Sequence, residues 1–285
     1  MMSTTNDHEL TTARIAQYLD HLREKERGER TVRRYEKSIL AFYDSLPPDK
    51  IVTKQEAIQW KAALAERCAP STVNVMLAAL NGIFAFQGWH DCRVKPLKRQ
   101  RRVFRERDRE LTRTEYLRLL EAAGRRGSRR LYCLMETLCS TGMRVSELRF
   151  VTVESLAAGR VCVNCKGKLR TILLTKRLRR ALREYCRSRG IRSGPVFVTR
   201  TGKHLDRSNI WRDLRALSRY AGVDARKVFP HNFRHLFAVM FYRLEKDMAK
   251  LADLLGHASV ETTRIYIMES SAEHERQLER LQLVL

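Results

Sequence analysis

Two histidines and an arginine crowd together at His231, Arg234 and His235, in a stretch from about His231 to Tyr242 that reads as a helix. At 100° per residue these three share a face with Ala238 and Tyr242, while Phe233, Leu236, Phe237 and Met240 take the opposite one. The apolar stripe explains folding and leaves the cationic face unexplained. Solvated faces carry Lys and Glu, so a cluster of His and Arg points to a bound anion. Downstream, L-A-D-L-L-G-H at 251–257 reads as a helix ended by Gly256, because glycine takes the left-handed position after a helix at least cost. His257 follows at once, and Ser259 can cap a short helix carrying Arg264, Ile265 and Tyr266. Taken alone, Tyr266 reads as a core tyrosine. Upstream, T-G-M-R-V-S-E-L at 141–148 puts Arg144 beside the apolar run Leu131 to Leu138. A cation there needs an anionic partner, since an unpaired buried charge is costly. Glu147 is one such partner, and a phosphate gripped by the guanidinium fork is the other.

The rest of the chain must position these groups. Its 285 residues suffice for two domains. Lys and Arg number 56 against 32 Asp and Glu, a formal charge of +24. That excess implies a polyanionic partner, with nucleic acid ahead of an anionic membrane surface. No run approaches the roughly 18 apolar residues of a membrane span, and Met1 to Leu10 lacks the pattern of a signal peptide. The seven cysteines are scattered, mostly within apolar-periodic segments, as expected of reduced thiols in a cytoplasmic protein.

Few prolines and glycines argue for helices. Four helical patterns lie between Glu9 and Trp89: Thr12 to Glu26, one starting near Thr31, one opened by the capping box Thr53–Glu56, and one beginning at Pro70-Ser71 with Ser71 as N-cap. They form a compact four-helix domain over 9–92. Residues 93–108 read as a basic linker; eight basic side chains against one acidic between Arg93 and Arg107 suit contact with phosphate. A second domain, 109–285, is again mostly helical. Val161–Asn164 and Thr171–Leu174 flank the turn C-K-G-K as a β-hairpin, and Pro195–Val198 suggests a further short strand. At the C-terminus, 272–285 reads as a helix with Leu278, Leu281 and Val284 on a narrow apolar stripe.

In this order the pieces resemble the tyrosine recombinase (phage integrase) family, nearest to Xer-type enzymes and mobile-element integrases. The matching stretches are T-G-M-R-V-S-E-L at 141–148, C-K-G-K-L-R at 165–170, H-N-F-R-H at 231–235, L-L-G-H-A-S-V-E-T-T-R-I-Y at 254–266, and P-S-T-V-N-V-M-L-A-A-L-N at 70–81. The resemblance implies a mainly α fold with a small antiparallel β-sheet: an N-terminal four-helix, SAM-like core-binding domain and an α+β catalytic domain. It implies an enzyme that cleaves and rejoins duplex DNA through a 3′-phosphotyrosine, in integration and excision or in resolution, without metal or cofactor. Tyr266 would attack the phosphodiester and His231 take its proton. Arg144 and Arg234 would clamp the non-bridging oxygens, His257 would hydrogen-bond the phosphate, and Lys166 would protonate the leaving 5′-oxygen. Tyrosine titrates near pH 10, so such an attack needs a base and a cationic surround. The family hairpin reads G-K-G-x-K-x-R. Here Cys165 replaces the first glycine and the loop between the lysines is one residue shorter, which leaves Lys168 as the alternative acid. DNA contacts would fall on Ser71, Asn74, Lys98, Arg99, Arg101, Arg102, Lys168 and His235. The partners would be double-stranded DNA with inverted-repeat half-sites and three further copies in a synaptic homotetramer, joined through the C-terminal helix. No membrane partner is implied, and a cytoplasmic, nucleoid-associated location is expected.

Two readings compete. A type IB topoisomerase shares the chemistry but lacks reason for the N-terminal four-helix unit. A non-catalytic helix-turn-helix regulator accounts for the charge and for 251–266, since helix, glycine turn and helix match such a reader. It leaves Arg144, the hairpin and the His231/Arg234 face without a purpose. A zinc site from Cys162, Cys165, His231 and His235 fails on spacing, and alternate strand positions face opposite ways.

Overall fold

The computed structural model describes residues 8–98, 109–165, 168–199, 201–257, 259–267 and 279–280. The chain divides into two compact units, residues 1–101 and 102–285. Among the described residues no helix is long and apolar enough to cross a membrane.

The first unit holds α1 (Thr12–Glu24), α2 (Glu29–Ser45), α3 (Lys54–Arg67) and α4 (Pro70–Phe86) around one apolar core. The periodicity of the sequence produces these helices, and side-chain caps start two of them. Thr11 accepts from the Arg14 amide and Thr53 from the Glu56 amide, each quenching an N–H that the first turn leaves unpaired. Ser71 is not the N-cap of α4. Ala69 holds that position and Pro70 opens the helix, which suits proline because the first helical N–H needs no partner.

The boundary at residue 92 shifts for a physical reason. Asn81 donates to the Val94 carbonyl at 2.8 Å and accepts from the Val94 amide at 2.9 Å. Two helical turns earlier, Asn74 treats Leu97 identically, at 2.9 and 2.8 Å. The two amides act as a strand edge, laying Val94–Leu97 along α4 so that Val94 enters the core. The Lys54 ammonium also bonds the Arg93 carbonyl. Asn74, expected among the DNA contacts, thus has both ends of its amide spent on the chain. Ser71 and Lys98 are exposed. Arg99, Arg101 and Arg102 lie outside the described residues.

The second unit contains α5 (Arg113–Arg125), α6 (Arg129–Thr141), a 3-10 turn (Val145–Phe150), α7 (Val153–Ala158), the hairpin β1 (Arg160–Cys165) and β2 (Lys168–Leu173), α8 (Lys176–Arg189), α9 (Arg207–Tyr220), α10 (Pro230–Glu245), α11 (Met248–Leu255) and α12 (Val260–Ile267). The hairpin is antiparallel, from Arg160 opposite Leu173 to Cys165 opposite Lys168. Pro195–Val198 is not a strand of this sheet. It makes only isolated bridges, Pro195 to Thr152 and Val198 to His204. In α6, Leu131, Leu134, Met135 and Leu138 are buried and the helix stops at Gly142, whose φ of 62° is left-handed. A side chain there would collide with Phe237 of α10, so glycine is required twice over. That contact ties the end of α6 to α10.

The asparagine pair gives a stability prediction. Asn74→Ala and Asn81→Ala should each destabilise the first unit by about 1–2 kcal/mol, since each deletes two hydrogen bonds and strands their backbone partners. Urea denaturation reads the loss, and faster tryptic cleavage after Arg93 reads the release of the segment. Unchanged cleavage in the double variant would show that other contacts hold it.

Candidate active site

The last carbonyls of α11 organise the site. A helix leaves its final C=O groups without intrahelical donors and carries partial negative charge there. At this terminus three successive carbonyls each take a different arginine. Leu254 O accepts from Arg170 at 2.5 Å, Leu255 O from Arg234 at 2.7 Å, and Gly256 O from Arg144 at 3.3 Å. Gly256 is left-handed, with φ 61°, and a Cβ on it would strike the Arg170 side chain.

Arg234 is the deepest of the three. Only 2% exposed, it also donates to Gly142 O at 2.6 Å and to His257 Nε2 at 2.8 Å. Burial, then the neighbouring Arg144 charge, lowers its pKa to about 10, so it remains cationic at neutral pH. Arg144 is the accessible one, its side chain 43% exposed. It forms an ion pair with Glu147 at 3.1 Å. Both partners raised for Arg144 by its surroundings are therefore compatible: Glu147 holds one edge, and the exposed remainder is open to an anion.

His257 follows Gly256 and is fixed from both sides. An arginine can only donate, so Nε2 accepts from Arg234 and the ring proton sits on Nδ1, which donates to Thr263 Oγ1 at 2.8 Å. Burial, followed by the charges of Arg234, Arg144 and Arg170, pushes its pKa down to about 4. Ser259 bonds the Glu261 amide at 3.2 Å, starting α12 and carrying Tyr266 inward. The Tyr266 hydroxyl lies 3.2 Å from His231 Nε2. Its ring is surrounded by imidazoles, with centroids 5.4 Å from His231, 5.5 Å from His235 and 5.4 Å from His257.

The structure thus brings together Arg144, His231, Arg234, His257 and Tyr266. Lys166 lies outside the described residues, and so does the side chain of Lys168. His235 is corrected. It is 1% exposed, with Nε2 3.5 Å from Glu110, so it packs behind Tyr266 and cannot reach DNA. Helix α10 packs against both α6 and α12, and on its cationic face Arg234 and His235 are buried while His231 stays exposed. The sequence reading missed Arg170 as part of this cluster. Arg170 closes the stretch C-K-G-K-L-R, but only the return of β2 beside the end of α11 makes it part of the site.

Comparison with known proteins supplies the family. Residues 15–90 match the phage integrase N-terminal SAM-like domain, and residues 109–273 match the phage integrase family. The chain belongs to the phage integrase family. Like its relatives it is a site-specific DNA recombinase of the tyrosine type, an enzyme of DNA strand breakage and rejoining. It is 28% identical to tyrosine recombinase XerA of Pyrococcus furiosus over 95% of this chain and 94% of that one. With tyrosine recombinase XerC of Roseiflexus sp. (strain RS-1) it shares 33% identity, covering 70% of this chain and 69% of the relative. In fold, this integrase-family chain superposes on a lambda integrase tetramer bound to a Holliday junction with a TM-score of 0.74 and 18% identity, over 92% of this chain and 78% of that one.

The hydrogen-bond directions around His257 predict a fixed tautomer. At pH 7 the ring should be neutral with its proton on Nδ1, and it should become charged only as pH falls toward about 4. Long-range ¹H–¹⁵N correlation spectra check both points. An Nε2-protonated ring, or titration near pH 6.5, would mean that Arg234 does not hold it as described.

Proposed function

We propose that Tyr266 is the nucleophile of the recombinase reaction and that the arginines and histidines around it are its catalytic surround. The observation that carries this reading is the Tyr266 hydroxyl 3.2 Å from His231 Nε2, beside the buried cation Arg234. His231, with Nε2 unprotonated, takes the phenol proton as the oxygen attacks a scissile phosphodiester. The bond from the Tyr266 oxygen to phosphorus forms and the bond from phosphorus to the 5′-oxygen breaks, leaving a 3′-phosphotyrosine and a free 5′-hydroxyl. Lys166 supplies the proton to that 5′-oxygen. Arg144 and Arg234 neutralise the non-bridging oxygens, where charge accumulates in the transition state. His257, expected at the phosphate, has no donor to give it: Nε2 accepts from Arg234 and the Nδ1 proton lies on Thr263, so it orients Arg234 instead. The phosphotyrosine keeps the energy of the broken bond, so attack by a 5′-hydroxyl reseals the strand without a nucleotide.

The target is duplex DNA with inverted half-sites, and four copies assemble on a pair of sites. This rests on family membership and on a lambda integrase tetramer on a Holliday junction among the structural neighbours. The tail that would join protomers, 272–285, falls almost wholly outside the described residues.

Tyr266→Phe should abolish covalent adduct formation on a nicked suicide substrate while leaving half-site binding within about twofold, because only a hydroxyl is lost. An adduct trapped with the Phe variant would refute the assignment. Arg144→Lys should lower single-turnover cleavage by at least about a hundredfold, the worth of a bidentate charged contact in the transition state. Arg234→Lys should cost at least as much and lower the melting temperature too, because its carbonyl partners at Gly142 and Leu255 are buried. Near-parental cleavage by either lysine variant would show that the guanidinium fork is not used.

A further inference from the structure

We infer that Arg170 is a positioning residue of the reaction: it shares Glu147 with Arg144, and so keeps Arg144 from being neutralised by its own ion pair. This inference rests on the role proposed above for Arg144.

The geometry is specific. Glu147 is almost fully buried, its side chain 2% exposed. Its Oε1 accepts from Arg144 Nη1 at 3.1 Å and from Arg170 Nη1 at 3.2 Å; its Oε2 accepts from the Arg144 amide at 2.7 Å and from Arg170 Nη1 at 3.1 Å. One carboxylate therefore serves two guanidinium groups. Arg170 itself is largely buried, its side chain 11% exposed, and its Nη2 is anchored on Leu254 O. It is poorly placed to touch DNA and well placed to act through its neighbours.

Two consequences follow from elementary electrostatics. If Arg170 were absent, the whole Glu147 charge would fall on Arg144, the closest remaining cation. The pair would close, and Arg144 would present less charge to a phosphate. With Arg170 in place, two positive charges oppose one negative, and the surplus stays at the exposed Arg144. Second, Arg170 lies against Gly256 and bonds Leu254 O. It thereby braces the turn that delivers His257 and the Gly256 carbonyl on which Arg144 rests.

The test compares single-turnover cleavage of a normal suicide substrate with one carrying a scissile methylphosphonate. In the latter a methyl group replaces one charged non-bridging oxygen, so less cationic neutralisation is needed. Arg170→Met should slow cleavage of the phosphate substrate by about ten- to a hundredfold, the equivalent of one charge-assisted hydrogen bond, and slow the methylphosphonate substrate far less. Arg170→Lys keeps a charge on Glu147 but cannot span Glu147 and Leu254 O, and should show the same bias to a smaller degree. It also serves if the methionine variant does not fold, which thermal melting reports. On a Glu147→Gln background, Arg170→Met should lose its bias against the phosphate substrate and keep only the smaller cost of the Leu254 O contact, which falls on both substrates alike. Equal slowing of both substrates, unchanged rates for both, or full additivity with Glu147→Gln would overturn the inference. A parental protein that forms no tyrosyl adduct at all would instead overturn the role of Tyr266, a result distinguishable from any of these.

Discussion

The end of α11 is where this fold and its chemistry meet. Leu254, Leu255 and Gly256 present three carbonyls in succession, and Arg170, Arg234 and Arg144 converge on them from the hairpin, from α10 and from the turn after α6. Each arginine comes from a different element, so the terminus acts as a hub that sets their relative positions. The helix cannot continue past this point without removing those acceptors. Gly256 ends it, both because the backbone is left-handed there and because Arg170 occupies the space a side chain would need. A substitution at Gly256 would move the whole set at once.

The hub also decides how deep each cation sits. Arg234 has traded solvent for two carbonyls and an imidazole, and burial weakens its hold on its proton while leaving it charged. Burial, and then that charge, keeps His257 neutral, and neutrality with Nε2 as acceptor in turn fixes its Nδ1 proton on Thr263. Thr263 lies on α12, one turn before Tyr266. A chain of directed bonds therefore runs from a helix terminus, through a buried arginine and a histidine, to the helix that carries the hydroxyl. Tyr266 is aimed by this chain and by the three imidazoles against its ring.

Much of this was legible in the amino-acid order. Periodicity located the four N-terminal helices because each buries one apolar stripe against its neighbours. Gly256 and Ser259 marked a helix end and the next start, since both signals are local. What failed was the inference from one helix to its surroundings. His235 shares the cationic side of α10 with His231 and Arg234 and was expected at DNA, yet it is a packing residue behind Tyr266. No local pattern announces that a ring from a second helix will pack against it. Asn74 misled in a similar way: on a helix of a basic protein it resembled a nucleic-acid contact, but its amide matches the backbone edge of Val94–Leu97. Asn81, two turns along, repeats the motif, and the pair could have been read together. Arg170 went unnoticed because its importance depends on where β2 returns, which is a tertiary fact.

The choice of partners for these arginines explains how a buried positive cluster stays useful. Carboxylates would satisfy guanidinium groups most strongly, but each would cancel a charge. Carbonyls and a neutral imidazole satisfy the same N–H groups with dipoles alone. In the described contacts of Arg144, Arg170 and Arg234 only one carboxylate takes part, Glu147, against four carbonyl oxygens and His257 Nε2. Three positive charges and one negative leave a surplus of two. At an effective dielectric constant of 20, one such charge 4 Å from a phosphate oxygen is worth about 4 kcal/mol before desolvation is counted. The fold therefore bears the cost of burying cations with neutral dipoles, so that their charge is left free for the phosphate of the proposed reaction. Among the three, only the exposed Arg144 carries a carboxylate partner that competes with that phosphate, and that partner is the one Arg170 shares.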